Sequence, residues 1–400
     1  MTGRPTSSAT SPPSPEEGPS NTGPLDGVVV VSLEQAVAVP YATRLLADLG
    51  ARVIKVERPG VGDFARHYDS SCGSVSSYFA WTNVGKESLT LDIKAPEARE
   101  VLNRLAARAD VLLCNLSPGV WERLALDLPS SLVVGELSGY GADGPYSGRK
   151  AFDALVQSEA GLVSLTGEGD VVARAGISVA DIAAGVQLQS AVLAALLQRG
   201  RTGRGCSLRL SLFEALAEWM HQPLLYAAGT GASAPRTGAH HPSIAPYGPV
   251  PCADGSVHLA VQNDGQWQRL SALAGIPADP RFATVSSRVS HRDALQALLA
   301  EAFASFSCAD LLAALDAADV PAALTRPITD LGAHPQLAAR SRWVDVEVPD
   351  GSARMLRPPV DGFSWSPGAV PSLGAHNDHV LHWIGYSAED VAELRARSVL

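Results

Sequence analysis

The chain has 400 residues, 46% of them hydrophobic and 18% charged, which is enough for a large core and more than one domain. A formal net charge of −10 argues against nucleic acid or an anionic membrane as the main partner, because both bind broad basic surfaces. Five scattered cysteines without a C-x-x-C pair predict a cytoplasmic protein with reduced thiols, and there is no signal-peptide pattern or apolar run of about 18 residues.

The first predicted elements are a strand, a helix and a second strand within residues 25–66. Four consecutive valines at 28–31 are typical of a strand buried on both faces of a parallel sheet. Pro40 suits the first turn of a helix, Gly50 suits its end, and the second strand occupies 51–57. The loop at 58–63 follows the carboxyl end of that strand, where doubly wound sheets bind ligands.

Further strands alternate with helices along the next part of the chain. Strands are predicted at 88–92, 111–115 and 131–137, with a helix at 95–109, and this alternation indicates an α/β fold with a parallel sheet. Longer helical patterns follow at 150–163 and 181–198. Residues 226–251 then become rich in Gly, Ala, Pro, Thr and His, which marks a domain junction. A strand at 255–261 and helices at 266–274, 292–304 and 309–318 come next, before a short helix near 378–384.

These patterns predict five segments. Residues 1–24, mostly Ser, Thr, Pro and Gly, form a disordered tail. A large domain with the parallel sheet occupies 25–205, a linker helix and loop 206–240, and a smaller α+β domain 241–326. The remaining segment, 327–400, returns to complete the large domain.

Several familiar chemistries lack their sequence signatures. A dinucleotide site needs G-x-G-x-x-G directly after the first strand, but residues 34–40 contain no glycine. The chain also lacks a G-x-S-x-G elbow, a Walker loop and an H-E-x-x-H helix. His240-His241 and His376 with His379 do not complete a ligand set, so no metal is predicted.

A series of short motifs runs in order through most of the chain. They are Leu25-Asp26-Gly27, Pro40, 49–57, Gly62-Asp63 with Arg66, Asn83-x-Gly85-Lys86-x-Ser88, Leu91-Asp92-x-Lys94, Gly139-Tyr140-Gly141, Gly144-Pro145-Tyr146, Asp153-x-x-x-Gln157, Asp181, Thr202-Gly203-Arg204-Gly205 and Gly374-x-His376. With these motifs the chain resembles the class III CoA-transferase family, which includes formyl-CoA transferase, carnitine CoA-transferase and the α-methylacyl-CoA racemases.

The resemblance implies a fold, a ligand and an assembly. It implies a Rossmann-like large domain with a smaller α+β domain, an interlocked homodimer, and acyl-CoA and a carboxylic acid as substrates. Basic side chains would meet the CoA phosphates, and apolar residues with an asparagine would flank adenine. An isolated basic residue is more often a solvated surface charge. The implied CoA contacts are Ala38, Arg58, Leu91, Lys94, Asn115, Arg123, Lys150 and Phe152.

The resemblance also implies that Asp181 is the covalent nucleophile, which forms an acyl anhydride and then a CoA thioester. From the residues alone, an aspartate directly before an apolar helix is typical of an N-cap. The two interpretations are compatible, because the positive end of a helix dipole favours an ionised carboxylate.

Two aspects of the implied chemistry stay open. Asp153 either hydrogen-bonds Gln157 as a surface pair four residues apart or supports catalysis near Asp181. The racemases use a histidine at the position of Phe152, which cannot exchange a proton, so transfer is favoured over racemisation of a 2-methylacyl-CoA. A catalytically silent CoA-binding scaffold is the third alternative.

The substrate acid is only partly indicated. Val37 stands where formyl-CoA transferase has a glutamine, and that enzyme's run of glycines is absent, which argues against formate and oxalate. The segment 62–69 is similar to relatives that act on succinate, mesaconate or itaconate. Alternatively, its Arg66 is an ordinary solvent-facing loop residue.

Overall fold

The computed structural model describes residues 23–116 and 119–400. Nearly all of the predicted tail, at 1–22, lies outside the described residues. The strands are β1 (Val29–Leu33), β2 (Arg52–Glu57), β3 (Lys86–Thr90), β4 (Val111–Cys114), β5 (Val133–Ser138), β6 (Gly167–Glu168), β7 (Val171–Val172), β8 (Ser207–Ser211), β9 (Tyr247–Cys252), β10 (Gly255–Ala260), β11 (Ala322–Leu324), β12 (Trp343–Val348) and β13 (Gly351–Leu356).

The α-helices lie between these strands and at the end of the chain. They are α1 (Ala38–Asp48), α2 (Ser77–Asn83), α3 (Ala98–Arg108), α4 (Val120–Leu124), α5 (Asp153–Glu159), α6 (Leu162–Leu165), α7 (Val179–Thr202), α8 (Leu212–Trp219), α9 (His221–Thr230), α10 (Asp264–Leu273), α11 (Val285–Ser290), α12 (Arg292–Phe303), α13 (Cys308–Ala317), α14 (Pro335–Ala339), α15 (Asn377–Trp383) and α16 (Ala388–Ala396). Short 3₁₀ helices occupy Phe64–His67, Pro280–Phe282 and Ile328–Ala333.

A six-stranded sheet with the order β3-β2-β1-β4-β5-β8 forms the main layer. The pairs β3–β2, β2–β1, β1–β4 and β4–β5 are parallel, which confirms the predicted α/β fold with a parallel sheet. The strand order reverses between β1 and β4. Loops diverge at such a point and leave a crevice beyond the carboxyl ends of the strands.

The opening β1-α1-β2 unit confirms its sequence pattern. Pro40 lies in the first turn of α1, where its missing N–H leaves no hydrogen bond unmade. Gly50 has a φ of +100°, the left-handed conformation that ends a helix most easily with glycine. Residues Val39 and Leu46 of α1 are buried, so the helix covers the sheet with its apolar face.

The chain divides into two compact units. The first contains 23–136, 188–208 and 344–400, and the second contains 137–187 and 209–343. The divisions between the two units fall within the long helix α7 and within the strands β5, β8 and β12. Sequence composition indicates loops, and it gives no sign of a division that falls inside a helix or a strand.

The core of the first unit joins the sheet to the end of the chain. Val31 and Ile54 of the sheet belong to the same buried cluster as Leu102 of α3 and Val380 of α15. The C-terminal segment also covers β3, the edge strand of the sheet. The backbone N–H groups of Ser88 and Thr90 donate to the His376 and Asn377 side chains at 3.1 and 2.8 Å. The final segment therefore completes the first unit.

The second unit contains a three-stranded sheet with the order β11-β10-β9 and antiparallel pairing. One face of this sheet is buried together with α10, α12 and α13 around Val257, Leu259, Phe303 and Leu311. The five cysteines of the chain all lie in the described residues and are free thiols.

Some predicted elements differ in detail. The helix expected at 150–163 is two short helices, α5 and α6, because Gly161 adopts a φ of +86° between them. The helix expected at 95–109 begins only at Ala98, after Pro96. The predicted strand at 88–92 is β3, which begins and ends two residues earlier.

Helix α7 is long and apolar enough to cross a membrane by length and composition alone. The bent pair α12 and α13 meets the same test only if both count as one span. Core helices of soluble proteins also meet it. In α7 the side chains of Ala184, Leu188 and Val192 are buried, so one face of the helix packs against the protein.

Candidate active site

A cavity of about 470 Å³ lies in the first unit beyond the carboxyl ends of β1 to β4. Its lining comes from the loops that follow these four strands, which is where the strand order predicts a ligand crevice. It is large enough for a substantial part of a cofactor-sized ligand. The lining residues are Leu33, Glu34, Gln35, Val56, Glu57, Arg58, Val61, Gly62, Asp63, Phe64, His67, Leu91, Asp92, Ile93, Lys94, Leu116, Val120 and Arg123.

Four of the residues predicted to contact CoA meet at this cavity. Leu91 is buried and supplies an apolar wall, whereas Arg58, Lys94 and Arg123 are exposed on its rim. Guanidinium and ammonium groups on a rim of this kind suit the phosphates of a nucleotide.

The loop at 34–37 between β1 and α1 forms another part of the wall. The backbone N–H of Gln35 donates to Oδ1 of Asn115 at 2.9 Å, and Nδ2 of Asn115 donates back to the Gln35 carbonyl at 2.8 Å. Both the oxygen and the nitrogen of the Asn115 side-chain amide thus hold this loop in place. Ala38 begins α1 directly after the loop and is buried.

A group of buried ions lies beneath the cavity. Nζ of Lys86 is 2.7 Å from Oε1 of Glu34, and Nζ of Lys55 is 3.5 Å from the same oxygen. Thr43 donates to the other carboxylate oxygen at 2.7 Å. Burial acts to raise the pKa of Glu34, but the charges of Lys86 and Lys55 outweigh it and hold that pKa below its usual value. Burial lowers the pKa of Lys86 to about 8.

The buried group continues through Glu57 and Asp63. Arg66 donates to both carboxylate oxygens of Glu57, at 2.9 and 2.7 Å, and Lys55 lies 2.8 Å from Oδ2 of Asp63. Burial acts to raise the pKa of Glu57, but the Arg66 hydrogen bonds and the Lys55 charge lower it to about 2. The interpretation of Arg66 as a solvent-facing loop residue is wrong, because its side chain is 5% exposed.

The buried ions beneath the cavity balance one another in charge. The buried carboxylates of Glu34, Glu57 and Asp63 are balanced by Lys55, Lys86 and Arg66. The buried group therefore carries no net charge of its own. Charges on a rim that faces a low-dielectric wall attract anions more strongly than isolated surface charges do.

A pair of carboxylates lies in the second unit. Asp153 begins α5, and its Oδ1 accepts a hydrogen bond from the backbone N–H of Ala180 at 2.8 Å. Gln157 donates to the other oxygen of Asp153 at 2.7 Å and accepts from the N–H of Ala175 at 2.9 Å. Gln157 is fully buried, so the predicted hydrogen bond is present but the pair is not a surface pair. Asp153 thus holds the first turn of α7.

Asp181 is the third residue of α7 and not its N-cap, so the capping interpretation is wrong. Its side chain is half-buried. Burial raises the pKa of Asp181 to about 7, and the negative charge of Asp153 adds to the shift. Desolvation acts against the stabilisation of the carboxylate that is expected from the helix dipole. A carboxylate with such a pKa is typical of a reactive group.

Residues 25–377 match the sequence model of CoA-transferase family III. The chain belongs to this family. It is similar to the succinate–glutarate CoA-transferase of Agrobacterium fabrum, with 35% identity over 91% of this chain and 96% of that protein. It is also 33% identical to the acetyl-CoA:oxalate CoA-transferase of Acetobacter aceti, over 80% of this chain and 86% of that protein.

The fold of this family III chain also matches a solved structure. A CAIB/BAIF family protein from Brucella suis has a TM-score of 0.81 at 35% identity, covering 91% of this chain and 100% of that one. The predicted family and enzyme class are confirmed: the chain is a CoA-transferase. CoA-transferases act on CoA thioesters and carboxylate substrates.

The remaining predicted site residues of this CoA-transferase lie in the second unit. Lys150 is exposed, and Phe152 is exposed directly before Asp153. Among residues 23–116 and 119–400, no group of three or more His, Cys, Asp or Glu side chains is placed to hold a metal ion.

Sequence reasoning missed Lys55 as part of the site. A lysine inside the apolar strand 53–56 was the available signal, because a charge on a doubly buried strand requires a buried partner.

Proposed function

We propose that this enzyme transfers CoA from an acyl-CoA such as succinyl-CoA to a small dicarboxylic acid, with Asp181 as the covalent nucleophile. The relatives named for succinate, glutarate and oxalate support a dicarboxylate acceptor. Oxalate belongs among the acids to be tested, although Val37 argues against it. Arg66 does not bind the second carboxylate of the dicarboxylic acid in this proposal, because its guanidinium group is paired with Glu57.

The proposed reaction exchanges the thioester without hydrolysis. The Asp181 carboxylate attacks the acyl carbonyl, and CoA leaves as the thiolate, which gives a mixed anhydride. The thiolate then attacks the aspartyl carbonyl and releases the donor acid, leaving CoA on Asp181 as a thioester. The acceptor carboxylate takes the place of the donor acid, and the same steps run in reverse.

The observation that carries this proposal is the pairing of Asp181 with Asp153 at the first turn of α7. Asp153 fixes the backbone N–H of Ala180, next to Asp181, and is itself held by Gln157. A nucleophile is effective when its supporting groups hold it in line with the reacting carbon. Asp153 is proposed as such a positioning residue.

The test is to look for the covalent intermediate. The enzyme is incubated with succinyl-CoA alone, and mass spectrometry should find CoA on Asp181, removable by hydroxylamine. Acceptor acids are then screened, including glutarate, mesaconate, itaconate and oxalate. A protein that binds CoA without forming any adduct would be a scaffold. Exchange of deuterium into the α-position of a 2-methylacyl-CoA without an acceptor would identify a racemase.

The rate should depend on the ionisation of Asp181. Since its pKa is raised to about 7 and only the carboxylate attacks, kcat/KM for acyl-CoA should rise about tenfold from pH 6 to pH 8. Asp153→Asn removes the neighbouring negative charge and should move this rise to lower pH. A profile that is flat between pH 6 and pH 8, or unmoved in the variant, would contradict this role for Asp181.

The rim of the cavity is proposed to bind the CoA phosphates. Lys94→Ala should raise the Kd for CoA about tenfold and weaken the salt dependence of binding, since one exposed cation is removed from a phosphate. Arg104→Ala is the matched control, because Arg104 is an exposed cation on α3 that pairs with Glu100 and does not line the cavity. Equal effects of the two substitutions would count against the assignment.

A homodimer, interlocked as the family resemblance implies, is also proposed. Helix α9 contains no buried residue, and its apolar residues Leu224 and Leu225 are 63% and 68% exposed. Exposed leucines on a helix that has no buried residue support a contact with a second copy of the chain. Light scattering with size-exclusion chromatography should give twice the chain mass, and a monomer at micromolar concentration would contradict the proposal.

A further inference from the structure

The loop at 34–37 makes a left-handed turn without a glycine. Ala36 has a φ of +65°, a conformation that residues other than glycine, asparagine and aspartate rarely adopt. Such a conformation persists only where the surrounding structure enforces it. The neighbouring contacts therefore have to supply what a glycine would have supplied by itself.

The contact at Ala36 comes from Asp63. The backbone N–H of Ala36 donates to Oδ1 of Asp63 at 3.1 Å. The same oxygen accepts from the N–H of Ala65 at 2.9 Å, at the start of the 3₁₀ helix Phe64–His67. One carboxylate oxygen thus joins the loop after β1 to the loop after β2. Both loops line the cavity, through Gln35 and through Phe64.

Asp63 is itself held in place from two sides. Its second oxygen accepts from Nζ of Lys55 at 2.8 Å, and its backbone N–H donates to Oε1 of Glu57 at 3.0 Å. Asp63 is 4% exposed and Lys55 fully buried, so water does not compete for these bonds. A buried carboxylate with a fixed orientation is able to impose a backbone conformation on its neighbours.

We propose that Asp63 is a positioning residue for acyl-CoA binding: it holds Ala36 in the left-handed turn and so fixes the two loops that face each other across the cavity. The inference rests on the proposed function, in which this cavity binds CoA. Asp63 lines the cavity, but both of its carboxylate oxygens already accept hydrogen bonds from Ala36, Ala65 and Lys55, so it acts on the ligand through the loops. Its removal should therefore affect the affinity for acyl-CoA more than the rate at saturation.

Three variants test this. Asp63→Ala removes the acceptor, and we expect the Kd for CoA and the KM for acyl-CoA to rise about tenfold, with kcat changed less than threefold. Ala36→Gly, added to Asp63→Ala, should recover at least threefold in Kd, since glycine adopts the turn without help. Glu87→Ala is the control: it breaks an ion pair with Arg52 between the same strands β2 and β3, away from the cavity, and should leave Kd unchanged.

Amide hydrogen exchange gives a readout that does not depend on CoA. Peptides that cover 34–38 should exchange faster in Asp63→Ala than in the wild type or in Glu87→Ala. If Asp63→Ala does not fold, Asp63→Asn replaces it, with a threefold rise in Kd expected because the bond from Lys55 is weakened.

The outcomes separate the inference from the proposed function. A wild-type protein that does not bind CoA refutes the proposed function, while the exchange measurement still tests the role of Asp63. A wild type that binds CoA, with Asp63 variants that bind it equally well, overturns the inference. A loss in Asp63→Ala that glycine at position 36 does not relieve also overturns it, because the turn is then not what Asp63 supplies.

Discussion

Replacing Asp181 by asparagine is expected to lower kcat for CoA transfer by about 10⁴-fold, because an amide cannot form the mixed anhydride. The substitution keeps the size of the side chain at the first turn of α7, so the fold should not change. Steady-state assays with succinyl-CoA and the best acceptor acid provide the measurement. The Kd for CoA should stay within threefold, since the proposed phosphate contacts lie on the rim of the cavity.

The stability of the same variant provides a second check. In the wild type the folded pKa of Asp181 is raised to about 7, whereas the pKa of an aspartate in the unfolded chain is about 4. The protein therefore loses stability as the pH rises from about 4 to about 7. Asp181→Asn removes this loss. At pH 8 the variant should be more stable by about 2 kcal/mol, half the value of the full shift because the side chain keeps some exposure. Below pH 4 the difference should vanish.

The activity and the stability of Asp181→Asn together distinguish a catalytic role of Asp181 from a purely structural one. A structural aspartate would lose stability on substitution, whereas a desolvated nucleophile loses activity and gains stability. An Asp181→Asn enzyme that retains more than 1% of the wild-type kcat, about a hundredfold less loss than expected, would exclude the covalent mechanism.

Replacing Glu34 by glutamine is expected to lower the free energy of unfolding by about 3–5 kcal/mol at pH 7. Glutamine keeps the shape of the side chain, but it leaves the buried ammonium groups of Lys86 and Lys55 without their shared counter-charge. Because the pKa of Lys86 is already lowered to about 8, its proton should be lost more easily in the variant. The loss of stability should therefore be smaller at pH 9 than at pH 7.

Chemical denaturation at both pH values measures this effect. Glu87→Gln is the matched control, since Glu87 pairs with Arg52 in a half-exposed position and its loss should cost less than about 1 kcal/mol. Adding Lys86→Met to Glu34→Gln should restore most of the stability. Equal losses in Glu34→Gln and Glu87→Gln would mean that the buried ions do not stabilise the fold more than surface pairs do.

The sequence was sufficient for the opening unit and for five of the six strands of the main sheet, whereas β8 lies in the segment 206–240 that was predicted to be a linker helix and loop. The valine run, Pro40 and Gly50 are local signals, and each corresponds to the β1-α1-β2 geometry. The α5 and α6 region was less predictable, because a single glycine at 161 decides whether a helical pattern continues. The two-strand ribbon of β12 and β13 was missed, although the alternation at 344–348 and the turn residues Pro349-Asp350-Gly351 are local signals for a hairpin.

The basic residues around the cavity could be predicted from the sequence, but the buried ion pairs beneath it could not. Arg58, Lys94 and Arg123 meet at one cavity as expected, because the carboxyl ends of parallel strands share an edge. The partners of Lys86 and Arg66 were not predictable from spacing. Lys86 pairs with Glu34, 52 positions away, and such a pair is visible only in three dimensions. The raised pKa of Asp181 likewise depends on burial that no motif records.

The covered edge of β3 has a consequence for the synthesis of the chain. Ser88 leaves the ribosome 288 residues before His376, the side chain that accepts its N–H. Until then β3 is an open strand edge, the kind of surface that pairs with other chains and begins aggregation. The first unit therefore closes this edge only after the C-terminal segment has been synthesised.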